Sequence, residues 1–130
     1  VGEPHRELAQ HLFETVGTVV WIDENQMDAV TGLSGSGPAY VYTIIEALAD
    51  AGVAAGLPRE IAASLAMQTV KGAATMALEA DVPTSVLKDR VCSPGGTTIQ
   101  GVRTLEAMGL RSAVIEAVLA ATQRSKELGG

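Results

Sequence analysis

Aromatic side chains are nearly absent from this 130-residue chain, at 3% of residues: one Trp, two Tyr and one Phe. With 47% apolar residues, the interior must therefore be built from aliphatics and from 20 alanines. Such a composition suits helices packed backbone to backbone far better than a β-sandwich, which draws on Val, Ile, Thr and aromatics. Basic charge is also scarce, with 9 Lys and Arg against 15 Asp and Glu and a net charge of −6. No basic patch is available to displace counterions, which argues against nucleic acid as a partner. Cysteine occurs once, as Cys92, so no intramolecular disulfide framework exists and a reducing compartment is the expectation. There is no apolar run of spanning length and no basic-then-apolar leader, so the expectation is a soluble, cytoplasmic protein without membrane contact. His5 and His11 are not at metal-ligand spacing, and no metal site is expected.

What is present reads as helix. Leu8, Leu12, Phe13 and Val16 recur at three and four behind Pro4, and Gly17 supplies a stop. Thr18 to Asp23 is the one convincing strand, and a lone strand needs a partner for its ladder groups. Residues 1–23 therefore look like the end of an αβ unit, and residues 24–130 like a helical domain. In the latter, Val41, Ile44, Ile45 and Leu48 form one face of a helix running to Ala55-Gly56. Pro58 opens a second helix of about twenty residues by the helix-start preference of proline. Along it Ala62, Ala66, Thr69, Ala73 and Ala77 make a stripe of small side chains, flanked by Ile61, Leu65 and Leu78. A helix apolar nearly all round is buried nearly all round. The expectation is thus an all-α architecture in which two copies interleave through the 38–56 and 58–79 helices. Shorter helices follow over 83–90 and 97–108, and Gly109 precedes a last helix over 110–128 with Val114, Val118 and Ala121 inward. Met67, Met76 and Met108 fall at core spacing, and Cys92 reads as a small buried residue.

The chemistry concentrates in Val91-Cys-Ser-Pro-Gly-Gly-Thr-Thr-Ile99. Three hydroxyls, a proline and two glycines form a turn that passes directly into helical periodicity. Such a turn aims backbone N–H groups and hydroxyls at one point, where a helix N-terminus adds positive potential. It is a receptor for a small anion, with hydroxyls placed for proton transfer. The plainer alternative is a helix cap by Thr97 or Thr98. Ser34-Gly-Ser-Gly-Pro38 lacks the ending of a phosphate loop and the third glycine of a dinucleotide fingerprint, so as a bare motif it is a helix junction. Ser85-Val-Leu-Lys88 matches a penicillin-recognising motif without its companions and is attributed to chance.

Asp28-Ala-Val-Thr-Gly-Leu-Ser-Gly-Ser-Gly-Pro-Ala-Tyr40, with Leu87-Lys-Asp89 and the Val91–Ile99 run, closely resembles pyrroline-5-carboxylate reductase. The similarity runs from about Val16 to Leu128 and covers that family's carboxy-terminal dimerisation domain. Its amino-terminal Rossmann domain has no counterpart here beyond residues 1–23, which resemble the last helix and strand. The resemblance implies reduction of the cyclic imine of pyrroline-5-carboxylate to L-proline, with NADPH or NADH bound mainly by the Rossmann domain. It implies that Ser93, Gly96 and Thr97 hold the substrate carboxylate, within a subsite that includes Val91 and Gly95. Thr98 would meet the ring nitrogen as proton donor, and Thr31, Ser36 and Gly37 would lie near the nicotinamide. The partners implied are a second copy of the chain and the small imino acid. One departure stands out: where the family often carries a glutamate, this chain has Ala80, flanked by Glu79 and Asp81. Two other readings stay open at this point, a helical assembly module without activity of its own and the helical domain of a related imine or hydroxyacid reductase. For the 130 residues alone, no turnover is expected.

Overall fold

The computed structural model describes residues 22–129, and among them the architecture is all-α. The helix expected over 4–17 and nearly all of the strand expected over 18–23 lie outside the described residues; Ile22 and Asp23 are irregular. A 3₁₀ turn at Glu24–Gln26 leads into α1 (Met27–Val30), a π-helical turn at Thr31–Gly35, and α2 (Gly37–Ala54). α3 (Arg59–Glu79), α4 (Thr84–Val91), α5 (Thr97–Ala107) and α6 (Leu110–Gly129) complete the chain. These fall into two compact units. One joins the described part of 1–40 to 111–129, and the other comprises 41–110.

Local chemistry places the boundaries. α2 ends in a Schellman motif: Gly56 donates to the Val53 carbonyl and Leu57 to that of Gly52, both at 2.9 Å. The motif demands a left-handed residue, and Gly56 supplies it with φ of 109°. Pro58 and Pro83 stand at the N-caps of α3 and α4, one position before the first helical residue. There their missing N–H costs no ladder bond. Gly109, at φ of 81°, separates α5 from α6 as expected.

Packing within the 41–110 unit is thin and made of alanine. Ala49, Ala62 and Ala66 are its buried hydrophobic residues, with Ile45 and Ala63 beside them. At this α2–α3 crossing a Cβ on Gly52 would stand 2.9 Å from that of Ala62, so the helices approach as closely as glycine and alanine allow. Arg59 closes the corner on Asp50 at 2.7 Å. Both side chains are exposed, so the pair contributes about 0–1 kcal/mol. In the other unit Gly32 is buried against α6. A Cβ there would overlap Thr122 Oγ1 and sit 2.8 Å from the Val118 carbonyl oxygen. Ser125 donates to Asp28 Oδ1 at 2.7 Å, tying α6 to α1.

The small-residue stripe of α3 divides in two. Ala62 and Ala66 face the chain's own α2, whereas Thr69 and Ala73 are exposed and Ala77 is half-buried. Several residues expected in the core are instead on the surface of the single chain. Met67, Met76 and Met108 are exposed, the last at 82%, and so is Val114; Val118 and Ala121 are half-buried. Cys92 is half-buried rather than buried. Of the α2 face, Ile45 alone packs against the alanine cluster, and Val41, Ile44 and Leu48 are exposed. The periodicities were those of buried helices, but one copy supplies too few opposing faces to bury them. No helix among the described residues is long and apolar enough to cross a membrane.

Two glycines test this account of packing. Gly52→Ala and Gly32→Ala each force a methyl into an occupied contact, and overpacking of this kind costs about 1–3 kcal/mol. Thermal unfolding should show both midpoints lowered; an unchanged midpoint for either would mean its helices are not in contact as described.

Candidate functional site

The site grows from the way α4 stops and α5 starts. α4 ends when Cys92 turns extended, with its N–H donating to Asp89 at 3.1 Å. Pro94 and Gly95 then make a tight turn in which Gly96 donates to the Ser93 carbonyl at 3.1 Å. Gly95 has φ of 67°, a conformation that costs a residue with a Cβ about 1–2 kcal/mol. Gly96 answers a different need, because the space its Cβ would take is filled by Ser93 Oγ. The two glycines thus have separate tasks: one bends the chain, and the other lets the Ser93 hydroxyl fold in against the turn.

α5 begins at Thr97 with Gly96 as N-cap, and no side chain caps it. The plainer alternative, a cap by Thr97 or Thr98, is therefore not realised, since both lie inside the first turn, where their own side chains cannot reach back. The N–H groups of that turn stand open beside Ser93, with the positive end of the helix dipole behind them. Three other helical threonines fold their hydroxyls onto the carbonyl four residues earlier. Thr69 does so at 2.6 Å, Thr104 at 3.0 Å and Thr122 at 2.7 Å. Thr98 has no such acceptor, because the residue four before it is Pro94, outside the helix. Half-buried, its hydroxyl has no hydrogen-bond partner among the described residues. Ser93, Gly95, Gly96, Thr97 and Thr98 are thus brought together; Val91 lies two residues before the turn, at the end of α4, and is exposed. Val91 also lines an apolar cleft of about 540 Å³ between α3 and α4, shared with Met76, Ala77 and Leu87.

Thr31, Ser36 and Gly37 belong to the other unit, around its π-helical turn. The Ser36 N–H donates to the Thr31 carbonyl at 2.8 Å, five residues back rather than four. Thr31 and Ser36 are half-buried, and neither hydroxyl has a partner among the described residues. A Cβ on Gly37 would meet nothing within 4 Å, and its φ is not left-handed. The two hydroxyls can each donate and accept a hydrogen bond. Sequence reasoning passed over Tyr40, whose hydroxyl donates to the Gly32 carbonyl at 2.9 Å. A glycine interrupting the helical pattern at 32 was the available signal for a close approach. No group of His, Cys, Asp or Glu among the described residues is arranged to hold a metal.

Comparison with known proteins gives a consistent picture. The family model for pyrroline-5-carboxylate reductase dimerisation matches residues 24–128. The chain is 62% identical over 121 residues to pyrroline-5-carboxylate reductase of Synechocystis sp., covering 93% of this chain and 45% of that protein. To the enzyme of the same name from Arabidopsis thaliana it is 61% identical over 117 residues, covering 90% and 42%. The chain thus spans less than half the length of these relatives. Among solved structures, the pyrroline carboxylate reductase of Plasmodium falciparum with NADP bound superposes with a TM-score of 0.86 at 42% identity. That match covers all of this chain and 52% of the other. The Coxiella burnetii pyrroline-5-carboxylate reductase gives 0.87 at 45% identity, covering 98% and 48%.

The positive φ at Gly95 predicts an ordered series. Gly95→Ala should lower stability by about 1–2 kcal/mol, and Gly95→Asn by less, because asparagine tolerates the left-handed region. Chemical denaturation reads the difference, and equal losses for the two variants would contradict the conformational cause.

Proposed function

The chain belongs to the pyrroline-5-carboxylate reductase family, and on that premise we propose that it is the self-associating, substrate-holding half of an enzyme of proline biosynthesis. The reaction is reduction of the C=N bond of 1-pyrroline-5-carboxylate to L-proline, in the cytoplasm. Residues 1–23 are read as the end of a dinucleotide-binding domain and residues 24–130 as the helical domain. The carrying observation is the uncapped start of α5 with an unpartnered Thr98 hydroxyl beside the Ser93–Gly96 turn.

Each group then has a task. A bound NADPH or NADH supplies the hydride that the imine carbon accepts. The Thr97 N–H and the Ser93 hydroxyl hold the substrate carboxylate at the positive end of α5, joined by the Gly96 N–H once it leaves the Ser93 carbonyl. Fixing that carboxylate decides which carbon of the ring faces the hydride. As the C=N bond becomes C–N, electron density collects on nitrogen and a proton must arrive there. The Thr98 hydroxyl donates it and is reprotonated from water. Val91 and Gly95 complete the walls of this subsite, while Thr31, Ser36 and Gly37 meet the nicotinamide. The family's acid has no counterpart at Ala80, so the water behind Thr98 is held by another group in this reading.

The partner is a second copy of the chain, forming a homodimer interleaved through α2 and α3. The exposed halves of those helices support it, as does the apolar cleft between α3 and α4. Leaving such side chains in water forfeits about 1.5–3 kcal/mol apiece for the larger aliphatics.

Two kinetic predictions separate binding from proton transfer in the full-length enzyme. Thr98→Ala should lower kcat and kcat/KM together by roughly 10²–10⁴-fold, with Thr98→Ser retaining much of the rate. Ser93→Ala removes a hydrogen bond to a charged group, worth about 1.5–3 kcal/mol, and should act largely through KM. Steady-state kinetics decide the matter: a Thr98→Ala enzyme with near-normal kcat would assign the proton to water or another residue. The 130 residues alone, which carry no dinucleotide fingerprint, are expected to show no turnover with pyrroline-5-carboxylate and NADPH, and measurable reduction would contradict the division of labour.

A further inference from the structure

A helix that switches from α to π spacing leaves one carbonyl without its donor. Here that carbonyl belongs to Gly32. In an α-helix the Ser36 N–H would bond to it, but Ser36 donates to Thr31 instead, at 2.8 Å. The Tyr40 hydroxyl takes the vacated position at 2.9 Å from Gly32 O. From the same place it lies 3.5 Å from the Ala117 carbonyl of α6. One side chain therefore replaces the missing backbone donor and joins the π-turn to its neighbouring helix. Two further contacts hold the turn against α6: Gly32 pressed on Thr122, and the Ser125–Asp28 hydrogen bond just before it. Thr122 spends its own hydroxyl on Val118, leaving the Gly32 carbonyl to Tyr40.

We propose that Tyr40 is a positioning residue that keeps the Thr31–Gly35 turn in its π form and so aims the Thr31 and Ser36 hydroxyls at the nicotinamide. The proposal rests on the reading that those hydroxyls meet the cofactor. Its physical basis is the alternative open to the segment. Without the Tyr40 donor, Gly32 O is half-shielded and unpaired, a state that costs more than a relaxed helix would. The turn then regains its ordinary ladder when Ser36 donates to Gly32. That exchange removes the extra residue from the turn and rotates Thr31 relative to Ser36 by about 100°, one residue's step in a 3.6-residue turn. The two hydroxyls no longer address one ligand together. π-turns of this kind are costly and concentrate at functional sites, and this one is retained by a device outside its own backbone.

A double-mutant cycle in the full-length protein tests this by equilibrium titration of NADPH, followed through its fluorescence and without turnover. Tyr40→Phe should weaken NADPH binding roughly 3- to 10-fold, the range that loss of a neutral hydrogen bond supplies, with KM for pyrroline-5-carboxylate unchanged. Ser36→Ala should weaken it comparably. Combined with the Thr31→Val/Ser36→Ala pair, Tyr40→Phe should lose little more than that pair alone, because Tyr40 acts through the two hydroxyls that the pair removes. Additive losses, or a Tyr40→Phe protein that binds NADPH normally while Ser36→Ala does not, would overturn the positioning role. If Ser36→Ala and Thr31→Val both leave NADPH binding intact, the placement of those hydroxyls at the nicotinamide fails instead. Should Tyr40→Phe not fold, Ser125→Ala loosens the same turn from its other side and carries the same cycle, with the same non-additivity required.

Discussion

Every feature of this chain bears on a shortage of opposing surface. A helical domain with two tyrosines as its aromatic residues must make its core from aliphatic faces, and among the described residues one copy buries just three alanines and Gly32. Leu65 and Leu78 of α3 are 54% and 86% exposed, although the helix that carries them runs for 21 residues. Helix propensity alone does not sustain such an element in water, since most helical stability comes from packing one face on another. The helices therefore call for a complement, and the family model that the chain matches is one of dimerisation.

That constraint also explains where the chemistry sits. The helix starts and stops are fixed by local devices that need no partner: the Schellman turn at Gly56, the prolines before α3 and α4, the glycines before and after α5. The Ser93–Thr98 turn, to which the proposal assigns the substrate carboxylate, is built from the same devices. Its glycines bend the chain and admit Ser93, and its threonines stay inside the helix instead of capping it. An open helix N-terminus leaves backbone donors unsatisfied, which is a cost to the fold and would be an asset to a site for an anion. The π-turn at Thr31–Gly35 follows the same logic, keeping two hydroxyls free at the expense of a regular ladder.

Much of this was legible in the residues. The helices, the glycine breaks, the all-α class and the Ser93–Thr98 turn follow from periodicity and turn chemistry. Three things did not. The alanine stripe of α3 was readable as a contact surface, but periodicity cannot say whose helix it meets, and Ala62 and Ala66 meet the chain's own α2 while Ala73 does not. The methionines at core spacing were readable as core, yet a core completed by another copy looks identical in sequence to one completed within the chain. The π-turn depends on Tyr40 and α6 acting together, and Asp28 finds Ser125 across 97 positions. Nothing local encodes such a pairing.

The claim on which all else rests is that folding and self-association are one process, and the most direct measurement is the dependence of unfolding on protein concentration. The domain is followed by circular dichroism across a hundredfold range of concentration, with sedimentation equilibrium at each end. If two copies complete one core, the midpoint rises steadily with concentration, because association adds a mass-action term to stability. A midpoint that stays fixed while the species sediments as a monomer would contradict the account.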